Sequence, residues 1–218
     1  MPCHSYIFFD SQPSINAVPT KTLEKYKRDF CAAAQKSRTA RIDSYATLGF
    51  KPDTRFMLHV NAPSADLIQD IMNTLIHTDL GKHLKITYTL FGMTRPSPYN
   101  PKHAPPESAP DVAHRYLVVY PFTKTTQWHM TPYEERRNVM KAHVGVGRKF
   151  TSTISQLLLY AYGVDDHEFI VSYQTDILAD FQTLVMELRN TESRRETKND
   201  LPIFLCVHRS LKECVDMV

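Results

Sequence analysis

The chain has 218 residues, 42% of them hydrophobic and 22% charged, which supports a real core and argues against disorder as the main theme. Its formal net charge of +3 comes from interspersed lysines and arginines, without the basic stripe that a nucleic-acid groove needs, so no nucleic-acid partner is expected. Cys3, Cys31, Cys206 and Cys214 lack metal-binding spacing and read as reduced thiols, and no signal segment or run of about 18 apolar residues appears, so a cytoplasmic protein without a membrane span is expected.

In chain order, a short apolar run from Tyr6 to Phe9 predicts a strand, and Leu23, Tyr26, Phe30 and Ala33 at helical spacing predict a helix from Thr20 to Lys36. Alternating stretches around Ile42–Leu48 and Phe56–Val60, separated by Gly49 and the Lys51-Pro52-Asp53 turn, predict a hairpin. Ser64 then caps a helix through Leu75, with Leu67, Ile68, Ile71, Met72 and Leu75 on one stripe. Gly81 stands where a helix-ending residue belongs, before a strand from Leu84 to Met93.

The same order recurs from Arg115: strand Tyr116–Phe122, helix Pro132–Val146, strands Ile154–Tyr162 and Phe169–Tyr173, helix Ile177–Arg189 and strand Pro202–His208. The fold expected is therefore α+β, two ferredoxin-like βαββαβ repeats with antiparallel sheets of the dimeric α+β barrel type. The halves span 1–94 and 115–218, and residues 95–114, with Pro96, Pro98, Pro101, Pro105, Pro106 and Pro110, form a stiff connector.

The helix from Pro132 carries the most chemistry. Thr131-Pro132-Tyr133-Glu134 reads as a capping box with proline at the first helical position, and Val139, Met140, His143 and Val146 then share one face. An inward imidazole there is either a satisfied core histidine or an axial ligand to porphyrin iron, and the residues alone leave both readings open. The other histidines, His4 and His59 among them, form no ligand spacing and are expected in loops or on the surface. With six glycines and neither GxGxxG nor GxxxxGK[ST], nucleotide chemistry is disfavoured.

Several stretches together resemble the chlorite dismutase-like haem proteins. They are Tyr116-Leu-Val-Val-Tyr120-Pro121-Phe122-Thr-Lys124, Trp128, Lys141-Ala-His143-Val-Gly145-Val-Gly147-Arg148, Tyr162-Gly163-Val164-Asp165-Asp166-His167-Glu168-Phe169 and Leu184-Val-Met-Glu187-Leu-Arg189-Asn-Thr191-Glu192. The resemblance implies a duplicated ferredoxin-like fold in a homopentamer or homodimer, with haem b or iron coproporphyrin III bound in the second half only. By it His143 matches the iron ligand and Glu192 the carboxylate that holds the other ring nitrogen, an arrangement that makes the imidazole a stronger donor. It also implies cofactor contacts from Phe122, Trp128, Gln156, Arg194 and Arg195.

Within that family Gln156 stands where chlorite dismutases carry arginine and coproheme decarboxylases glutamine, and a neutral amide holds an anionic oxidant poorly. Tyr120 matches the decarboxylases' radical tyrosine, and Lys124 a group that holds the reacting propionate or supplies a proton. The resemblance thus implies peroxide-dependent decarboxylation of coproheme to haem b. The alternatives are a chlorite dismutase or peroxidase-like enzyme and a haem carrier or sensor. Ser193-Arg194-Arg195-Glu196 departs from the family's usual sequence after Glu192, and Lys102-His103-Ala104-Pro105 replaces a basic segment upstream of Tyr120.

Overall fold

A computed structural model describes residues 1–99 and 114–218; most of the proline-rich connector, the Lys102–Pro105 stretch included, lies outside the described residues. The chain forms two compact units, 1–93 together with 204–218, and 94–203.

In the first unit the order is β1 (Cys3–Ser11), α1 (Thr20–Ala34), β2 (Arg41–Ala46), β3 (Phe56–Ala62), α2 (Ala65–Ile76) and β4 (Leu84–Met93). The strands lie β4-β1-β3-β2, each pairing antiparallel, which is the ferredoxin-like arrangement. The Ser64 hydroxyl accepts from Leu67 N at 3.3 Å and starts α2, so the cap expected from sequence is present. Ile68, Ile71 and Leu75 are buried against Ile7, Phe9, Phe56 and Leu58, each contributing about 1.5–3 kcal/mol through removal of apolar surface from water. Gly81 does not end the helix, which closes at His77. Its missing side chain permits close approach instead, since a Cβ there would lie 2.1 Å from the Leu75 carbonyl oxygen.

The second unit holds β5 (Tyr116–Lys124), α3 (Thr126–Met130), α4 (Tyr133–Arg148), β6 (Ile154–Tyr160), β7 (Phe169–Thr175), α5 (Leu178–Arg189) and a short β8 (Thr197–Asn199). β5 and β6 flank β7 in antiparallel pairing, and β8 pairs with the end of β5. Gly163, at φ 70°, turns the chain between β6 and β7, in the left-handed region that favours glycine. The expected capping box on α4 does not form: Pro132 is the cap residue and makes no side-chain bond. The Thr131 hydroxyl donates to Gln127 O at 2.8 Å instead, because the short α3 precedes it. Thr125 starts that helix by accepting from Trp128 N.

The last strand differs from the expected grouping. β9 (Phe204–His208) belongs to the first unit, where Val207 and His208 pair with Ala46 and Tyr45 of β2. The following α6 (Leu211–Val215) buries Cys214 and Val215 in that unit's core. An apolar strand does not encode in its own residues which edge it joins, so the sequence order alone assigned it to the nearer half.

His4 and His59, expected in loops, are buried on neighbouring strands. His4 Nδ1 lies 3.1 Å from His59 Nε2, Tyr6 stacks on the His59 ring with centroids 4.2 Å apart, and Asp43, itself paired with Arg41, stands 4.0 Å from His59 Nδ1. Burial pushes His4 down to about 4 and His59 well below its ordinary value. Both are therefore neutral in the fold. Their stabilising neutrality is complete above the unfolded value near 6.5 and is lost as the unfolded chain takes up protons below it. Folding stability should fall between pH 6.5 and about 4 by on the order of 3 kcal/mol through His4. Chemical denaturation of His4→Gln across that range should show a shallower fall than the unaltered chain.

Candidate functional site

Alternation along β5 puts Tyr120, Phe122 and Lys124 on one face of the second unit's sheet, and Leu117, Val119 and Pro121 on the other. The registers Tyr120↔Val171↔Leu158 and Val118↔Tyr173↔Gln156 carry that first face across β7 and β6. Ile154, Val171, Tyr173 and Leu184 form a buried cluster there, with Tyr120, Phe122, Val146, Phe150, Leu158, Phe181 and Leu188 packed around it. The face thus lies under α4 and α5, and it holds Tyr120 and Gln156 as the sequence placed them.

Above it, α4 turns Val139, Met140, His143 and Val146 to one side, as its spacing predicts. None of its residues is fully buried, and these four are half-buried. His143 Nδ1 is 2.9 Å from the Ser193 hydroxyl, while among the described residues Nε2 has no hydrogen-bond partner. Burial, and then the Lys124 ammonium, push His143 down to about 4, so the imidazole is neutral with a lone pair to give. Among the described residues no three His, Cys, Asp or Glu side chains form a metal cluster. A bare ion wants three or four protein donors, whereas one imidazole suits an iron that already carries a macrocycle.

Glu192, expected behind the imidazole, is exposed at the start of the helical turn Glu192–Arg194, and its buried neighbour Ser193 holds His143 instead. Ser193 also holds Lys124. The lysine Nζ donates to Ser193 O at 3.2 Å and Thr197 Oγ1 at 3.4 Å, and sits 4.8 Å from the centroid of the buried Trp128 ring. Lys124 therefore belongs to the His143 side of the site and stands four residues, about 13 Å of strand, from Tyr120. Burial lowers its value to about 8.

Phe122 stacks on Phe169 with centroids 4.7 Å apart. Arg194 and Arg189 share Asp200 at 2.9 and 3.0 Å, and Arg195 lines an open groove with Arg189, Asn190, Thr191, Glu192 and Arg194. Two further residues escaped the sequence reading. Tyr173 is buried and shares a hydrogen bond with the Tyr120 hydroxyl, their rings 6.2 Å apart. Thr191 is the other, its hydroxyl 3.0 Å from that of Ser193. Burial raises both tyrosines, which keeps the phenols protonated.

The family model described as Chlorite dismutase matches residues 21–209. A coproheme decarboxylase of Mycolicibacterium smegmatis is 27% identical over 161 residues, 73% of this chain and 69% of the relative. Among solved structures, chlorite dismutase from Candidatus Nitrospira defluvii in complex with imidazole superposes with a TM-score of 0.90 at 22% identity, covering 99% of this chain and 94% of that one. A novel heme-binding protein from Thermus thermophilus gives 0.85 at 20% identity, with 99% and 93% covered.

Because the fold disfavours the Lys124 charge, Lys124→Met should raise stability at pH 7 by about 1–3 kcal/mol. The gain should shrink as pH rises from about 8, where the folded lysine loses its proton, and vanish near the unfolded value of about 10.4. Melting temperatures of the two proteins at pH 7 and pH 10.5 check this.

Proposed function

From the premise that this chain belongs to the chlorite dismutase family, we propose that it binds an iron porphyrin between α4 and the sheet of the second unit. We propose further that it performs the peroxide-dependent decarboxylation of iron coproporphyrin III to haem b, the expected homo-oligomer being its working form. One observation carries this reading: the neutral Nε2 of His143, without a hydrogen-bond partner among the described residues, stands on an apolar helix face over a sheet face that presents Tyr120 and Gln156.

His143 would hold the iron, and Phe122, Leu158 and Val171 would pack on the ring. The bound iron porphyrin supplies one-electron oxidising chemistry driven by peroxide. Each propionate that becomes a vinyl group loses carbon dioxide, two electrons and one proton, and peroxide takes up two electrons to give water. Tyr120 suits the first hydrogen abstraction, since its buried phenol stays protonated and shares a hydrogen bond with Tyr173. Gln156 offers a neutral amide where an anionic oxidant would need a cation, which favours decarboxylation over chlorite chemistry. Arg194 and Arg195 stand at the open groove where carboxylates would be met, and bidentate guanidinium contacts fit them. The position of Lys124 behind His143 supports a role on the ligand side rather than beside the reacting propionate.

Incubation with iron coproporphyrin III and hydrogen peroxide, followed by mass spectrometry, should show two successive losses of carbon dioxide; a porphyrin of unchanged mass would refute the reaction. Tyr120→Phe should retain porphyrin binding and lower turnover by about a hundredfold or more, the scale of losing a positioned transfer group.

A further inference from the structure

The hydroxyls of Thr191 and Ser193 can be assigned their hydrogens by counting. Thr191 Oγ1 lies 2.7 Å from Leu188 O, and a carbonyl oxygen only accepts, so the single threonine hydrogen goes there. Thr191 Oγ1 is also 3.0 Å from Ser193 Oγ; with its own hydrogen committed it must accept, and the single serine hydrogen is used on it. Ser193 Oγ then has only lone pairs left for His143 Nδ1 at 2.9 Å.

We propose that Thr191 and Ser193 form a one-way hydroxyl relay, running from His143 Nδ1–H through Ser193 and Thr191 to Leu188 O, that locks His143 in the tautomer whose Nε2 lone pair faces a ligand. Ser193 is a positioning residue: it acts through the imidazole. The relay is anchored at both ends of the turn that follows α5. Ser193 is 3% exposed, and its carbonyl is held by Lys124, so the hydroxyl cannot swing to water.

A hydroxyl is a weaker acceptor than a carboxylate, so the relay fixes the direction of the imidazole without drawing its N–H proton strongly away. This inference rests on the porphyrin reading for its use, though not for its test. The second consequence is a ligand of lower basicity than a carboxylate-backed histidine, and hence a bound iron with a higher reduction potential.

The apo protein labelled with ¹⁵N at histidine, observed at pH 7.5, should show His143 with Nδ1 bearing the proton. Thr191→Val removes the acceptor of the serine hydrogen, which then turns to Nδ1, and the population should shift to the Nε2–H form in an otherwise folded spectrum. Ser193→Ala should abolish the preference and Ser193→Thr restore it. A wild-type His143 protonated on Nε2, or a tautomer unmoved by Thr191→Val, overturns the relay. With iron porphyrin bound, affinity should fall about tenfold in Thr191→Val, and Ser193→Asp should lower the reduction potential. Failure to bind any iron porphyrin, with the apo tautomer as expected, would instead refute the proposed function and leave the relay standing.

Discussion

The second unit's site is organised by a single buried residue, Ser193, which binds two elements at once. Its carbonyl takes the Lys124 ammonium from the end of β5, and its hydroxyl takes His143 from α4. Neither long side chain would hold one position by its own preference, since ordering a lysine costs about 2 kcal/mol in lost rotamers. The Ser193 carbonyl and the Trp128 ring offset only part of that cost and of the cost of burying the ammonium. With Lys124 fixed, its charge helps keep His143 neutral, and a neutral imidazole is the form that can donate to a metal.

The two units build the same layout to different ends. In the first, α2 sinks Ile68, Ile71 and Leu75 into the core, and the buried histidines, His4 and His59, face each other. In the second, α4 sinks nothing completely, and its apolar side ends in a histidine whose second nitrogen is unclaimed among the described residues. A helix that gives up core burial contributes less to stability, and such concessions are typical of a face kept for binding. The same strand alternation that fills the first unit's core presents Tyr120, Gln156 and Tyr173 as a platform in the second.

The proposed chemistry on that face would depend on separating groups that would otherwise interfere. Tyr120 meets a phenol, Tyr173, as its bonded partner, and the lysine that could compete for its proton is held at the far end of the strand. Arg189 and Arg194 are partly neutralised by Asp200, while Arg195 lines the open groove beside them.

The sequence by itself determined the order of the main strands and helices, the duplicated α+β repeat, the side of β5 that carries Tyr120 and the side of α4 that carries His143. These are properties of periods 2 and 3.6, which a chain states locally. Tertiary structure decided what depends on contacts between distant segments. The β9 strand was grouped with the first unit, beside β2, His4 and His59 went inside, and a missed short helix took Thr131 away from the expected capping box. It also decided between Glu192 and Ser193, neighbours in one turn whose assignment rests on a rotation of the chain after α5. Lys124, far earlier in the chain, holds the Ser193 carbonyl of that turn, and no local pattern in the sequence records the contact.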